Sequence, residues 1–233
     1  TLKNKSGYWL KFSESRTNPL TGAPRTFDTV QVNTGWNMIG SVAFPVTRIS
    51  IVQIPPGIVT TKLYGYVAGS GYAQSDTVQP GRGYWVKTSA PGKLVLDVSK
   101  SLAASGAAAK EEQDEFLSLN TITVKRLGAD GPQSAQTLYF AGAKGQELHL
   151  ERYELPPVPP AGTFDVRFAS NRFVEQHPAQ IAIQQDGSPT EVSWRLVEGG
   201  LARYTLLEQS EGKTIAERPM NSSGSATLHQ AER

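Results

Sequence analysis

Apolar and polar residues alternate with a period of two along most of this chain. Residues 119–125 show the pattern well, because Ile122 and Val124 fall on one side of an extended chain and Thr121 and Thr123 fall on the other. Alternation of this kind predicts half-buried β-strands. We predict strands at residues 8–13, 26–32, 37–44, 49–54, 62–67, 75–78, 84–88, 93–98, 119–125, 136–140, 148–153, 164–168, 181–185, 190–197, 202–208, 213–217 and 225–229.

Turn-forming residues separate these strands. The chain contains 22 glycines and 15 prolines, and several stand together, as in Pro55-Pro56-Gly57 and Pro80-Gly81. Short strands about 8–12 residues apart with turns of this kind predict a sandwich or a barrel. The expected fold class is therefore all-β, with two consecutive β-sandwich domains of Ig-like or jelly-roll-like type.

Residues 99–115 interrupt the alternation. They are rich in alanine and end in an acidic run over residues 111–115, with almost no large apolar residue that would anchor a helix. We predict that this Ala/Glu-rich segment is a linker or a solvated helical turn. The predicted domains are then a β-sandwich module at 1–98, which closes on Gly-Tyr-Trp strands, and a β-sandwich domain at 116–233.

A short motif occurs twice in the first predicted domain. Gly7-Tyr8-Trp9-Leu10-Lys11 is echoed by Gly83-Tyr84-Trp85-Val86-Lys87. Tyr and Trp are adjacent in each copy, so one of each pair must face away from the core of a single sheet. We expect a second layer, another subunit or a ligand to cover that ring. The candidate residues for subunit or glycan contact are Tyr8, Trp9, Trp36, Tyr84 and Trp85.

The first copy of this motif lacks the module that would precede it. We expect either that the chain is continued before Thr1 or that this segment is an edge strand which pairs with the following module.

Composition excludes several classes of function. The net charge is +2 with basic residues scattered, which gives no support to nucleic-acid binding. No apolar run approaches the roughly 20 residues needed to cross a bilayer, so we predict no membrane span. The chain has no cysteine, and we expect core packing, with large aromatic side chains, to hold it together.

We find no motif for catalysis or metal binding. His149, His177 and His229 are isolated in sequence, without the spacing of metal ligands. Asp28 and Asp76 occupy equivalent places in a second echo, Asp-Thr-Val-Gln, which favours turn capping over a carboxylate pair. A nucleophile elbow of the Gly-x-Ser-x-Gly type is absent. We therefore expect no catalytic residue, no metal and no cofactor.

Several motifs resemble a family when they are taken together and in order. In the first half of the chain they are Gly-Trp-Asn-Met-Ile-Gly-Ser at 35–41, Pro-Pro-Gly-Ile at 55–58 and Gly-Arg-Gly-Tyr-Trp-Val-Lys at 81–87. In the second half they are Gln-Thr-Leu-Tyr-Phe at 136–140, Tyr-Glu-Leu-Pro-Pro-Val-Pro-Pro at 153–160, Phe-Asp-Val-Arg-Phe at 164–168 and Val-Ser-Trp at 192–194. This set, spread over residues 7–228, resembles surface proteins of the Bacteroidetes–Chlorobi–Ignavibacteria group, in the region upstream of the C-terminal sorting domain of type IX secretion. The resemblance implies export across the outer membrane, an extracellular or cell-surface location and no catalytic activity. The chain ends at Arg233, about where the sorting domain would begin, and we expect either that Arg233 is a processed end or that the protein continues beyond it.

The sequence leaves three hypotheses for function. The first is a secreted, non-enzymatic structural or adhesive cell-surface protein that associates with itself or with neighbouring surface proteins. In its sharper form, the strand at residues 7–12 completes a neighbour's sheet and builds a filament. The second is a carbohydrate-binding module whose aromatic residues recognise polysaccharide. The third is the accessory C-terminal part of a larger secreted hydrolase.

Overall fold

The structure is a computed structural model, and it describes residues 7–10, 12, 17–19, 21–103, 115–128, 131–141, 148–184, 187–197, 203–210 and 212–228. Nearly all the regular structure in these residues is β-strand, which confirms the all-β prediction. The chain divides into two compact units. One contains Thr1–Tyr66 and Tyr72–Ala109, and the other contains Val67–Gly71 and Lys110–Arg233.

The first unit contains three small sheets. Its strands are β1 (Phe27–Val32), β2 (Gly35–Ile39), β3 (Val46–Thr47), β4 (Val52–Ile54), β5 (Leu63–Val67), β6 (Gly71–Ser75), β7 (Thr77–Val78), β8 (Tyr84–Thr88) and β9 (Gly92–Asp97). A four-stranded sheet has the order β2-β8-β5-β6, a three-stranded sheet has the order β1-β9-β4, and β3 pairs with β7. A 3-10 turn, Arg48–Ser50, and a short helix, α1 (Val98–Ala103), complete the unit.

The core of the first unit lies between the four-stranded and three-stranded sheets. Alternate residues of β8, Tyr84 and Val86, pack in one cluster with Leu94 and Leu96 of β9 and with Val30 of β1. Each strand contributes every second residue, because successive side chains of a strand point to opposite faces. This arrangement is sandwich-like, and it leaves the intervening residues on the outer face of each sheet.

The second unit has a larger sheet and two isolated pairs. Its strands are β10 (Asn120–Gly128), β11 (Gly131–Phe140), β12 (Asp165–Phe168), β13 (Val174–Glu175), β14 (Ile181–Gln184), β15 (Thr190–Arg195), β16 (Tyr204–Ser210), β17 (Lys213–Met220) and β18 (Ser223–Thr227). The five-stranded sheet has the order β13-β11-β10-β15-β18. The pairs are β12-β14 and β16-β17, and 3-10 turns lie at Glu115–Ser118 and Leu150–Tyr153.

The inner face of the five-stranded sheet forms the floor of the second core. Leu138 and Phe140 of β11 and Trp194 of β15 pack there against Val166 and Phe168 of β12. A smaller cluster forms where Phe116 and Phe173 pack against Tyr139 and Tyr153. Both clusters consist of aromatic and aliphatic residues, which supply large buried areas without a cross-link.

Some predicted strands differ from the structure. The alternating residues 148–153 form a 3-10 turn at Leu150–Tyr153, in which Arg152 N donates to the carbonyl of His149 at 3.0 Å. Residues 8–10 and 12 of the predicted first strand lie outside any strand, and residues 11 and 13 lie outside the described part. Strand β6 begins at Gly71, outside every predicted strand, and this glycine has a positive φ of 77°.

The predicted domain boundaries stay a prediction. Helix α1 occupies the start of the predicted linker, and its Ser101 is buried, with its hydroxyl accepting a hydrogen bond from Thr47 N at 2.8 Å. The rest of that segment, up to residue 114, lies outside the described residues, as does His229.

Candidate functional site

The register of the four-stranded sheet gathers aromatic rings on its outer face. Trp36 of β2 lies opposite Lys87 of β8, and Met38 lies opposite Trp85. Tyr64 of β5 lies opposite Trp85 on the other side. Residues that face each other across an antiparallel pair have side chains on the same side of the sheet. The two tryptophans therefore share the face that is turned away from the core.

Ring contacts extend this surface. Trp36 meets Tyr64 edge-on with ring centroids 5.8 Å apart, and Trp9 meets Tyr66 at 4.8 Å. Tyr72 of β6 contacts both Trp9 and Tyr66, at 6.3 and 5.6 Å. Edge-to-face pairs at these distances are favourable. We call this cluster the aromatic face, and it consists of Trp9, Trp36, Tyr64, Tyr66, Tyr72 and Trp85, of which Tyr64 and Tyr72 are buried.

The two aromatic residues of the second Gly-Tyr-Trp copy point to opposite sides. Tyr84 is a core residue with 4% of its surface exposed, and its hydroxyl accepts a hydrogen bond from Gln79 N at 3.1 Å. Trp85 belongs to the aromatic face, and its Nε1 is buried without a hydrogen-bond partner in the part of the chain described. Tyr84 is therefore left out of any proposed contact surface, although the sequence had made it a candidate.

The first copy of the motif lies against the second. Gly7 N donates to the carbonyl of Met38 on β2 at 3.3 Å. Gly83 packs so closely that an added Cβ would stand 3.1 Å from the Cα of Gly7. An added Cβ at Gly7 would stand 2.5 Å from Cγ of Met38, so neither glycine has room for a side chain unless its neighbours shift.

Beyond this contact, large apolar side chains alternate with less exposed residues. Tyr8 is 43% exposed, Leu10 is 61% exposed and Phe12 is 46% exposed, whereas Trp9 packs on Tyr66. In an extended chain, residues two apart share a side. We call Tyr8, Leu10 and Phe12 the N-terminal stripe.

A cleft of about 650 Å³ opens in the second unit between strands β14 and β16. Its floor is the five-stranded sheet, and its walls are the neighbouring parts of the two strands. Six of its apolar lining residues are Ile122, Val124, Phe140, Ile183, Val192 and Leu206. Within the described strands, β14 pairs only with β12, and β16 pairs only with β17. Each wall of the cleft is thus the edge of a two-stranded sheet.

Polar groups stand at the β16 side of the cleft. Residues 203–209 line it without a break, so that the strand presents its backbone edge as well as its side chains. Glu208 is buried, and one of its oxygens accepts from Arg218 Nη1 of β17 at 3.1 Å. This ion pair neutralises the carboxylate and leaves the cleft mainly apolar.

A buried polar network in the second unit was missed by the sequence reasoning. Arg167 donates from Nε and Nη2 to the two carboxylate oxygens of Asp165 at 2.5 and 2.8 Å. Its Nη1 donates to the carbonyl of Pro156 at 2.7 Å and to Oδ1 of Asn171. Asn171 in turn donates to the carbonyl of Leu155 at 2.9 Å. The network anchors the proline-rich segment to β12. The available signal was the Asp-Val-Arg spacing, which puts both charges on one side of a strand.

The predicted titratable candidates do not come together. His149 and His177 are exposed, and His149 Nδ1 lies 3.5 Å from Oε1 of the equally exposed Glu151. Asp28 pairs with Arg25, and Asp76 pairs with Arg48. Among the residues that the structure describes, no group of three or more His, Cys, Asp or Glu side chains is placed to hold a metal ion.

Among the residues that the structure describes, Tyr139 and Asp97 have perturbed pKa values, and each shift has a local cause. Burial raises the pKa of the Tyr139 phenol. The hydrogen bond from the Ser99 hydroxyl lowers the pKa of Asp97, where the carboxylate precedes α1. Neither group lies among the residues of the cleft or of the aromatic face.

The fold and these surfaces define an all-β, sandwich-like protein with an aromatic face, an exposed apolar stripe and an apolar cleft. No family model matches the chain, and no curated protein or solved structure is significantly similar to it. In the described part of the chain, no helix has the length and apolar character needed to cross a membrane.

Proposed function

We propose that this protein is a secreted, non-enzymatic structural component of the cell surface that associates with itself through strand exchange and builds a filament. The location outside the cell and the absence of an enzymatic role rest on the resemblance to proteins exported by type IX secretion. The self-association rests on features of the described residues. The two parts of the proposal are therefore tested separately.

The N-terminal stripe is the observation that carries the self-association. Three large apolar residues at alternate positions are about half exposed, in a segment that lies outside every described strand. Scattered exposed apolar residues are normal on a protein surface, but a period-two stripe is the pattern of a strand with one face intended for burial.

The energetics favour strand addition over a simple side-by-side contact. Complete burial of one such side chain contributes about 1.5–3 kcal/mol, so burying the exposed half of three contributes roughly 3 kcal/mol. Association costs about 4–15 kcal/mol in lost freedom. A stable contact therefore needs the backbone hydrogen bonds that the edge of a sheet supplies. In the second unit, β14 and β16 each pair with one strand only among the strands that the structure describes.

Removal of residues 1–13 tests the self-association. We expect the full chain to form concentration-dependent assemblies in sedimentation velocity and filaments in electron microscopy. The shortened chain should stay monomeric while its circular dichroism and cooperative unfolding are kept. Unaltered assembly of the shortened chain would rule out the N-terminal segment as the connecting strand.

A triple substitution gives a sharper version of the same test. Tyr8→Ser, Leu10→Ser and Phe12→Ser together keep the chain length and remove only the stripe. A matched control replaces two other exposed apolar residues, Leu117→Ser with Val158→Ser, which are 64% and 56% exposed. We expect the first variant to be monomeric and the control to assemble like the unmodified chain.

For the location, antibody labelling of intact producing cells should detect the protein without permeabilisation.

The aromatic face favours one further candidate, a carbohydrate-binding role. Trp36 and Trp85 are half-buried and lie on the same side of one sheet, an arrangement on which a sugar ring can stack. Isothermal titration against a panel of glycans, with Trp36→Ala and Trp85→Ala as controls, tests this role. Heat signals that disappear in both variants would support it, and a panel without any binding would remove it.

A further inference from the structure

The cleft between β14 and β16 has the form of a site for a missing strand. Its floor is apolar, and it is flanked by two strands that each have one partner among the described strands. An extended segment placed there would meet backbone groups on both sides and apolar side chains below. It would also join the β12-β14 and β16-β17 pairs into one continuous second layer, as a two-layer sandwich requires.

We propose that the N-terminal stripe of a second copy of this chain occupies this cleft. This inference rests on the proposed self-association and names the acceptor site that the proposal leaves open. The stripe and the cleft match in chemistry. In an extended conformation, Tyr8, Leu10 and Phe12 would share one side, and the floor presents the aliphatic and aromatic side chains of the five-stranded sheet.

The opposite side of the inserted segment fits this arrangement as well. Trp9 lies between two residues of the stripe and contacts Tyr66 and Tyr72 of its own unit. By the alternation of an extended chain, Trp9 points away from the side that enters the cleft. The donor segment therefore presents the N-terminal stripe to a neighbouring copy, while Trp9 on its other side packs against Tyr66 and Tyr72 of its own copy.

The pairing sets a direction for assembly. One copy donates its N-terminal segment and accepts another segment in its second unit, so each contact joins two different surfaces. A heterologous contact of this type produces an open chain of subunits unless its rotation closes a ring. A filament is thus the expected product of this donor and this acceptor.

Disulfide trapping tests the acceptor site directly, because the chain has no cysteine of its own. Leu10→Cys is mixed with a second variant that carries either Thr205→Cys on β16 or Gln180→Cys before β14, both exposed residues that line the cleft. The control acceptor is Glu217→Cys, an exposed position on β17 that does not line it. All are full-length chains, and each carries one cysteine, so that a mixed disulfide between them joins two copies.

We expect the mixed dimer to form at least tenfold faster with Thr205→Cys or Gln180→Cys than with Glu217→Cys, as measured on non-reducing gels and identified by mass spectrometry. A synthetic peptide of residues 6–14 should suppress this cross-link, and the same peptide with serine at positions 8, 10 and 12 should not. This combination of results would support the cleft as the acceptor.

Four other outcomes would overturn the inference. Assemblies that form without preferential trapping at the cleft would leave the self-association standing and refute this acceptor. Absence of both assembly and cross-link would refute the proposed self-association as well. A chain with both Leu10→Cys and Thr205→Cys that closes within one copy at high dilution, or native mass spectrometry that shows a small apolar molecule retained by the monomer, would assign the cleft a different occupant.

Discussion

Replacement of Arg167 by leucine removes the cation from the most deeply buried ion pair of the described residues. Arg167 and Asp165 have side chains that are 4% and 2% exposed. In the variant Arg167→Leu, the carboxylate of Asp165 loses two hydrogen bonds and its neutralising charge. The carbonyl of Pro156 and the side chain of Asn171 each lose a donor.

The size of the effect follows from this geometry. Breaking a buried ion pair by removing one partner costs about 3–5 kcal/mol, because a charge is left in the protein interior. We expect about 4 kcal/mol of destabilisation, a large fraction of the 5–15 kcal/mol that is typical of a domain. For a unit of this length, that loss corresponds to a decrease in melting temperature of roughly 15 °C.

Trp194 provides the assay. It is the one tryptophan of residues 110–233, and it packs in the core of the second unit. Urea unfolding is followed by tryptophan fluorescence, and the part of the signal that disappears in Trp194→Phe reports the unfolding of that unit, because the other three tryptophans lie in the first unit. A thermal melt gives the change in melting temperature.

Two further variants make this prediction refutable. Lys125→Met removes a cation whose pair with Glu191, at 3.3 Å, is about one third exposed, and exposed pairs contribute about 0–1 kcal/mol. The double variant Asp165→Leu with Arg167→Leu removes both charges and should be less destabilised than Arg167→Leu alone. If Arg167→Leu costs no more than Lys125→Met, the reasoning about the buried network is wrong.

Two other predictions concern backbone contact and pH. Gly92→Ala should destabilise the first unit by about 1–3 kcal/mol in chemical unfolding, because its Cβ would stand 2.3 Å from the carbonyl oxygen of Ile54, whereas Gly22→Ala, with open space around it, should be neutral. The raised pKa of Tyr139 means that the folded state keeps this proton longer, so its contribution is complete below the ordinary pKa of about 10 and is lost as the pH rises through the folded value. Tyr139→Phe should make the loss of stability above pH 10 shallower, and an unchanged slope would contradict this assignment.

The sequence predicts strands well where local preference and burial agree. In β8, the alternation Tyr84-Trp85-Val86 matches the observed burial of every second residue, and the predicted bounds equal those in the structure. At residues 148–153, the same kind of alternation gives a 3-10 turn, because Tyr153 packs against Phe116 and Phe173. Those partners are distant in sequence, so local alternation does not reveal them.

The candidate surfaces likewise include one that local sequence predicts and one that it does not. The outward position of Trp85 follows from the period of a strand, which is a local property. The cleft exists because the segments Ile181–Gln184 and Tyr204–Ser210 do not pair with each other. Tertiary packing between distant segments decides this, and local alternation does not reveal it. The network of Asp165 and Arg167 is partly predictable. The sequence spacing places both charges on one side of a strand, but it does not reveal the contact with Pro156, which is distant in sequence.

The close approach of Gly7 and Gly83 changes how the repeated motif is understood. The two copies touch each other beside the same strand, β2. An added Cβ at Gly83 would stand 3.1 Å from the backbone of Gly7, whereas one at Gly7 would stand 2.5 Å from the side chain of Met38. The repeated motif thus ties the N-terminal segment to the start of its second copy, and a side chain at either glycine would require these neighbours to shift.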